Sequence, residues 1–236
     1  MKTILNYANV MFCFLLMTSL TFAQETETRN LDSFDGISVA SGIKAELVRG
    51  NTNKIEITAD GIDLDKISTE VSGDKLKVKV NQKNNWFNWG SKKRTVNVTI
   101  TYNSTLEYIS SSSGSSVEAD HTILASNLDL NTSSGAYMNI TVEANDVEIG
   151  VSSGANMNVS GNASSVDIDI SSGASLDAGD LESGEVTVDG SSGSSAKVYA
   201  TSSLNVDVSS GASVRYKGNP GTTDFDKSSG GSVRKI

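Results

Sequence analysis

Four aspartates recur at nearly regular intervals in the C-terminal half of the chain, and their carboxylates are the most chemically suggestive groups in it. They are Asp169, Asp189, Asp207 and Asp226, separated by 20, 18 and 19 residues by subtraction. If the segments that carry them stack as β-strands, neighbouring carboxylates lie about 4.8 Å apart and repel by roughly 1 kcal/mol per pair even in water. Such a column could bind calcium, which prefers oxygen ligands, or a glycan. The alternative role is a solvated face that deters edge-to-edge association.

Further charged positions flank this column. Two residues before the corresponding position in their own segments stand Asp129, Glu148, Asp167 and Asp224. A separate set, eight residues after the aspartate position, changes from acidic or neutral to basic along the chain: Glu118, Asn139, Asn158, Asp177, Lys197, Arg215 and Arg234. The basic members of this set would relieve the repulsion between the aspartates if they reached around the turn between the two strands.

The segment 81–94 holds both tryptophans of the chain. Trp86, Phe87 and Trp89 stand among asparagines, and three basic residues follow. Aromatic faces supply apolar area and amides supply hydrogen bonds, so this segment is suited to stacking on sugar rings or contacting a partner protein. The alternative is that the aromatic side chains fold back and cap an open end of the β structure. Trp86, Phe87 and Trp89 are the candidate ligand-binding residues.

The chain offers little for catalysis. A serine nucleophile needs a base, and His121, the only histidine, is expected to be a solvated surface residue. Cys13 is the only cysteine, which excludes a disulfide framework and a Cys/His metal site. We predict a protein that is not an enzyme, with no catalytic residues and with no cofactor apart from calcium on the aspartate column.

The elements that position these residues are set by a repeated tripeptide. Ser-Ser-Gly occurs seven times, with glycines separated by 21, 19, 19, 20, 18 and 19 residues by subtraction. These glycines are Gly114, Gly135, Gly154, Gly173, Gly193, Gly211 and Gly230. A nearly constant period of this length is typical of a solenoid in which each repeat forms one coil.

Apolar residues alternate with polar ones on both sides of each tripeptide. Leu128, Leu130 and Thr132 precede Gly135, and Ala136, Met138 and Ile140 follow it. Period-two alternation predicts a strand, a corner and a second strand, with one face buried. The glycine is expected to take a positive φ, and the paired serine hydroxyls are expected to satisfy backbone groups at the corner.

Three regions follow from these patterns. Residues 1–23 resemble a signal peptide, with a basic start, an apolar run and Thr21-Phe22-Ala23 before Gln24. Residues 24–105 are an irregular β-rich part or cap of the solenoid, and residues 106–236 are the regular β-helix. Loss of Lys2 with the leader would take the formal charge from −9 to −10. So acidic a chain would be repelled by nucleic acid or an anionic membrane, and no transmembrane segment is expected in the mature chain.

Several of these motifs together resemble one family. They are Phe34-Asp35-Gly36-Ile37-Ser38-Val39, the Ser41–Leu47 stretch, the serial Ser-Ser-Gly corners and the Ser229–Val233 ending. The chain is similar in them to the DUF2807 family, named for a putative auto-transporter adhesin head GIN domain. The resemblance implies a right-handed single-stranded β-helix with coils of about 19 residues, exported by Bacteroidetes-like bacteria, with no established enzymatic activity.

The favoured function is an exported, non-catalytic, adhesin-like binding module of the bacterial envelope. Its partner would be a polysaccharide, a surface or an envelope protein, and its location the periplasm, the outer-membrane surface or the extracellular space. One alternative is a polysaccharide-processing enzyme, since β-helices host lyases and hydrolases. The other is a structural envelope protein that assembles through exposed ends of the helix.

Overall fold

The computed structural model describes residues 25–81 and 94–236, which form one mostly parallel β-sheet of 16 strands. The N-terminal strands are β1 (Glu25–Asn30), β2 (Gly36–Val39), β3 (Lys44–Arg49), β4 (Lys54–Asp60), β5 (Ile67–Ser72), β6 (Lys75–Val80) and β7 (Thr95–Tyr102). The next are β8 (Tyr108–Ser111), β9 (Ser116–Thr132), β10 (Tyr137–Val151), β11 (Asn156–Ile170) and β12 (Ser175–Gly190). The last are β13 (Ser195–Val208), β14 (Ser213–Lys217), β15 (Thr222–Lys227) and β16 (Ser232–Lys235).

The sheet coils into a solenoid of about seven turns, which confirms the predicted fold class. Strands β9 to β13 are long and bent, so that each contributes its first half to one wall and its second half to the other. We call the wall before each Ser-Ser-Gly the pre-corner wall and the wall after it the post-corner wall. Strands β10 and β11 pair in parallel from Tyr137↔Asn156 to Val151↔Ile170, a constant offset of one coil.

The core lies between the two walls and is built from the alternation seen in the sequence. On the pre-corner wall one inward column consists of Leu130, Ile149, Ile168, Val188 and Val206, all fully buried. On the post-corner wall the matching column is Met138, Met157, Leu176, Ala196 and Val214. Burial of each large apolar side chain contributes about 1.5–3 kcal/mol, so stacking of equivalent residues drives coil formation.

Each corner is a two-residue turn in which both central residues have positive φ. At the second full corner Ser134 has φ 55° and Gly135 has φ 68°, and the Ala136 N–H donates to the Ser133 carbonyl at 3.2 Å. Those dihedrals are typical of a type I′ turn. A Cβ on Gly135 would meet no atom within 4 Å, so backbone conformation, not space, favours glycine there. The positive φ of the glycine was predicted, whereas that of the preceding serine was not.

The N-terminal part does not stack in chain order. Strand β2 lies between β6 and β8, and β3 lies between β7 and β9, all in parallel. The chain therefore leaves the stack after β3 and returns to build a coil from β6 and β7 on the outer side of β2 and β3. Strand β6 ends at Val80 and β7 begins at Thr95, so segment 81–94 connects two strands that are joined by a short corner in the other coils.

Antiparallel strands close this end of the solenoid. Strand β4 adds to β7 and β1 adds to β4 on one wall, and β5 adds to β6 on the other. The Arg29 side chain joins the two walls, because its Nη1 donates to the Ile67 carbonyl at 2.7 Å and its Nη2 to the Leu64 carbonyl at 3.0 Å. Leu64 lies in a single 3-10 turn, Leu64–Lys66.

The C-terminal coil, formed by β15 and β16, closes the other end in a different way. Lys227 pairs with Val208 and Lys235 pairs with Tyr216, so both lysines occupy positions of the inward columns. Both are exposed, and the Lys235 ammonium donates to the Asn219 side-chain carbonyl at 2.5 Å. Charges at inward positions of an edge strand oppose pairing with another edge. The edge that this last described coil exposes is thus polar.

Candidate functional site

The solvent-facing side of the pre-corner wall, which we call the pre-corner face, carries the predicted aspartate column. Strand pairing places Asp169, Asp189, Asp207 and Asp226 in successive rows. The same column continues toward the N-terminal end through Gly150, Asn131, Ser110, Ser38 and Lys77. The column therefore spans nine rows of parallel strands, with aspartates at the C-terminal end and Lys77 at the other, where the antiparallel strand β5 adds Glu70 beside Lys77.

A groove runs along this face parallel to the solenoid axis. Its volume is about 630 Å³, and it extends from Tyr108 to Asp207. One side is formed by Asp169, Asp189 and Asp207 of the aspartate column and by Gly150, Asn131 and Ser110, which continue it. The other side is formed by the first serine of five of the seven corners: Ser133, Ser152, Ser171, Ser191 and Ser209. Gly150 places no side chain of its own in the column, and the side-chain carbonyl oxygen of Asn131 occupies the space that a Cβ there would fill. A ligand in the groove would meet serine hydroxyls on one side and, in the rows of Asp169, Asp189 and Asp207, carboxylates on the other.

The carboxylates in this face repel one another. The pKa of Asp189 is raised by partial burial and then by the charges of Asp169 and Asp207. The pKa of Asp129, in the neighbouring column, is raised by burial and by Glu148, while Lys75 acts in the opposite direction. The face therefore holds negative charge at an energetic cost, and a cationic or hydrogen-bond-donating partner would relieve it.

Basic residues mark the N-terminal end of the face. Strand β6 carries Lys75, Lys77 and Lys79 at alternate positions, on the side of the sheet opposite the buried Leu76 and Val78. The Lys75 ammonium crosses over Gly36 and lies 3.6 Å from the centre of the Tyr108 ring. A Cβ on Gly36 would lie 2.8 Å from Cγ of Lys75, so glycine at this position allows the cation–π contact.

The basic residues of the post-corner wall do not offset the aspartate column. Lys197 pairs with Asp177 of its own wall at 3.3 Å, and Lys217 pairs with Asp180 at 2.8 Å. Among the ion pairs of residues 25–81 and 94–236, none involves the four aspartates of the column. The two walls thus carry opposite charge gradients, since Glu118, Asn139, Asn158, Asp177, Lys197, Arg215 and Arg234 occupy successive rows of the post-corner wall.

Asp189→Asn is expected to raise the free energy of unfolding at neutral pH by about 0.5 kcal/mol, because it removes repulsion from neighbouring carboxylates. The raised pKa of Asp189 means that the folded state binds its proton more tightly than the unfolded state. The unsubstituted protein should therefore gain stability from this group as pH falls through the folded pKa, with the gain complete below the unfolded pKa.

Urea unfolding near pH 7 and near pH 4 measures both effects. Asp177→Asn is the matched control, since it removes a carboxylate that is paired with Lys197, and it should not stabilise. An equal advantage of the Asp189→Asn protein at both pH values would contradict this account of the column.

The corner serines act through their backbones. The Gly135 N–H donates to the Ser153 carbonyl at 3.1 Å, and Ser133 N–H donates to the Ser111 carbonyl at 3.0 Å, which links successive corners. The corner hydroxyls that do bond follow the glycine: Ser115 Oγ donates to the Val39 carbonyl and Ser194 Oγ to the Ile170 carbonyl. Contrary to the expectation, the paired serine hydroxyls make no hydrogen bond to the backbone within residues 25–81 and 94–236, and the first serine of five corners lines the groove instead.

His121 is not the solvated surface residue that the sequence suggested. Its Nε2 lies 2.7 Å from the Tyr102 hydroxyl, its Nδ1 lies 3.3 Å from Asp120, and its side chain is 24% exposed. Tyr102 is buried, and burial raises the pKa of its phenol, with Arg49 opposing the shift. The contact ties β7 to β9, so a structural role accounts for this histidine.

Other predicted features stay predictions. Trp86, Phe87 and Trp89 lie outside the described residues, as do Cys13 and the predicted leader 1–23. Within the described ranges, no group of three His, Cys, Asp or Glu side chains is placed to hold a metal ion. Calcium binding by Asp169, Asp189, Asp207 and Asp226 is therefore untested, although the four do share one column. Across the part of the chain that the structure describes, no helix is long and apolar enough to cross a membrane.

The repeats, the corner geometry and the sequence comparison agree on one family. Residues 33–220 match DUF2807, described as "Putative auto-transporter adhesin, head GIN domain". The chain belongs to this family. No curated protein matches the DUF2807 chain significantly.

Crystal structures of similar proteins share its fold. One, a putative adhesin from Bacteroides fragilis, has a TM-score of 0.80 at 18% identity, covering 91% of this chain and 97% of its own. A putative adhesin from Parabacteroides merdae has a TM-score of 0.67 at 20% identity, covering 90% and 96%. A protein from Parabacteroides distasonis described as a putative lipid binding protein has a TM-score of 0.67 at 18% identity, covering 90% and 96%. At these identities the similarity establishes the fold.

Proposed function

We propose that this DUF2807 protein is an exported, non-catalytic binding module of the bacterial envelope that holds an extended polysaccharide along its pre-corner face. The observation that carries the proposal is the axial groove lined by an aspartate column and a serine column. It is open along its length, its polar groups repeat once per coil, and its aspartates make no ion pair within the described part of the chain.

The lining suits sugar hydroxyls. A carboxylate accepts hydrogen bonds at two oxygens, and a serine hydroxyl both donates and accepts. The rows of Asp169, Asp189 and Asp207 lie about 4.8 Å apart and present the same pair of groups, so an extended polymer can form similar contacts in three successive rows. The aspartates sit on paired strands and the serines at corners that are hydrogen-bonded to one another, so little ordering entropy is lost when the ligand binds.

Export and the absence of catalysis are supported by different observations. The family description and the adhesin-like structural relatives favour a surface or exported protein. The carboxylates of the groove stand in a straight, evenly spaced column, whereas glycoside hydrolysis requires an acid and a second carboxylate in distinct environments on either side of one bond. Because the groove carboxylates are evenly spaced in similar environments, we propose binding without cleavage.

A glycan array followed by calorimetry of the purified protein tests the proposal. Ser171→Trp fills the groove and is expected to weaken polysaccharide binding at least about tenfold, because it blocks several rows at once. Ser175→Trp is the matched control, since Ser175 is an exposed serine on the post-corner strand of β12, and binding should persist.

Further results of this experiment would distinguish alternative binding sites and alternative activities. Loss of binding in a Trp86→Ala, Trp89→Ala double variant, with Ser171→Trp still active, would move the site to segment 81–94. Loss of binding on chelation would assign calcium to the aspartate column. Release of new reducing ends from a bound polysaccharide would overturn the non-catalytic assignment, and no binding to any glycan would overturn the polysaccharide.

A further inference from the structure

The post-corner wall ends in a basic surface that lies away from the groove and the aspartate column. In the last three coils, the post-corner segments 195–202, 213–217 and 232–235 contain five basic residues and no acidic residue. The basic residues are Lys197, Arg215, Lys217, Arg234 and Lys235. Strand pairing places Lys197, Arg215 and Arg234 in successive rows of one outward column. Since the formal net charge of the chain is −9, this surface differs in sign from the protein as a whole.

The lysines and the arginines of this surface differ in their partners. The ammonium groups of Lys197 and Lys217 each pair with a carboxylate of their own wall, at 3.3 Å and 2.8 Å. Within residues 25–81 and 94–236, neither Arg215 nor Arg234 takes part in an ion pair. Both arginines are exposed, and their strands lie about 4.8 Å apart, so the two guanidinium groups repel each other. An anion bound between them would relieve that repulsion.

Two serine hydroxyls lie beside the arginines. Ser213 and Ser232 each come two residues before an arginine, so the four side chains share the outward side of β14 and β16, opposite the buried Val214. The Ser232 hydroxyl donates to Oγ of Ser213 at 3.1 Å. Because Ser213 is the acceptor in this bond, its own hydroxyl hydrogen can be donated to a ligand. Two adjacent strands thus present guanidinium and hydroxyl donors together.

We propose that Arg215 and Arg234, with the hydroxyls of Ser213 and Ser232, bind the phosphoryl group of a phosphate monoester. Each guanidinium can donate two parallel hydrogen bonds to an oxyanion. A carboxylate has two oxygens, which one arginine can occupy alone. A phosphate monoester presents three acceptor oxygens and a charge of about −1.5 to −2 at pH 7. Two arginines in adjacent rows match both the number of acceptors and the charge.

The backbone positions of the two arginines are fixed by strand pairing. Strand β14 pairs in parallel with β13 on one side and with β16 on the other. A phosphoryl group that contacts both arginines therefore bridges the last two rows of the wall. Because such a ligand binds the folded arrangement only, inorganic phosphate should raise the melting temperature of the protein.

The phosphoryl site is independent of the polysaccharide groove. The groove lies on the pre-corner wall and the arginines lie on the post-corner wall, with the core between them. The two ligands can therefore be bound at the same time. Ser171→Trp, which fills the groove, should leave phosphate binding unchanged, so failure of one proposal does not decide the other.

NMR of the arginine Nε–Hε groups during titration with inorganic phosphate tests the site. The chain has five arginines, so these groups give few signals. At a constant ionic strength of about 0.1 M, kept with chloride, two signals should shift and saturate with a dissociation constant on the order of 1 mM. Arg215→Gln and Arg234→Gln should each remove one of those two signals and raise the dissociation constant at least about tenfold.

Two further variants separate a specific site from general attraction of anions. Lys44→Gln is the matched control, because it removes a positive charge from an exposed position of the same wall, and it should leave the dissociation constant unchanged. Arg215→Lys keeps the charge but loses the planar fork, so it should weaken binding at least about threefold. Unchanged Arg215 and Arg234 signals, equal weakening by Lys44→Gln, or full affinity of Arg215→Lys would overturn the proposal. Thermal melts check that every variant is folded.

Vesicles distinguish the possible sources of the phosphate. Co-sedimentation is measured with phosphatidylcholine vesicles that contain about 20 mol% phosphatidic acid, a phosphate monoester, and with vesicles of phosphatidylcholine alone. Binding to the first vesicles only, lost in Arg215→Gln, would assign the phosphoryl group to a lipid headgroup. Binding of inorganic phosphate without binding to either vesicle would assign it to a soluble phosphorylated ligand.

Discussion

Gly161→Ala is expected to lower the free energy of unfolding by about 3–5 kcal/mol, whereas Gly154→Ala should cost only about 1 kcal/mol. Both glycines have positive φ, 114° at Gly161 and 68° at Gly154. A Cβ on Gly154 would meet nothing within 4 Å, but a Cβ on Gly161 would lie 1.9 Å from the Val142 carbonyl oxygen. Because Val142 is the row neighbour of Gly161 in β10, one of the two strands would have to move.

Denaturant unfolding of the two single variants beside the unsubstituted protein measures the difference. Gly154→Ala serves as the matched control, since it changes the same residue type, adds the same methyl group and adopts a positive φ. The comparison therefore separates close approach of two backbones from backbone strain alone. Equal losses in the two variants would show that the dihedral angle, and not the contact with Val142, explains why β11 has glycine at this position.

Gly161 also shows a limit of what the sequence predicts. The Ser-Ser-Gly corners were visible because they repeat with one period, and the apolar alternation on both sides determined which residues face the core. Gly161 stands at the opposite bend of its coil, between Ser160 and Asn162, and no such tripeptide repeats there. A lone glycine in a polar stretch indicates a bend, but only the pairing of β10 and β11 reveals which carbonyl it approaches.

The order in which the N-terminal strands stack could not be predicted from the sequence for a related reason. Strands β4, β6 and β7 could be predicted from their alternation of apolar and polar residues. Their place in the sheet depends on contacts between distant segments, such as Val39 with Val78 and with Ser111. Strand β5 was missed, because its residues Ile67–Ser72 include few apolar side chains.

The same contrast holds for the candidate site. The aspartate column was predictable, since residues at a constant distance from a repeated corner must share a column in a solenoid. The groove was not, because it depends on which hydroxyls the corners leave facing outward. The alternation of lysines in β6 was present in the sequence, but the insertion of β2 between β6 and β8 places those lysines at the head of the aspartate column.

The double substitution Lys227→Val, Lys235→Val is expected to convert the protein into one that associates end to end. Both lysines occupy inward columns of the last coil, next to Val208 and Tyr216. Valine would continue the apolar columns to the end of the stack and leave the edges of β15 and β16 free to pair, where charge now opposes pairing. Light scattering and electron microscopy should show elongated particles that grow with protein concentration.

The matched control replaces two charged residues of the same coil at outward positions, Asp224→Val and Arg234→Val. These substitutions add the same side chains without extending the inward columns, so elongated particles should not form. Association through apolar edges should persist at high salt, since screening weakens contacts between charges and not apolar contacts. Continued monomeric behaviour of the Lys227→Val, Lys235→Val protein would show that the lysines are not what terminates the solenoid, and that the shape of the final coil is enough.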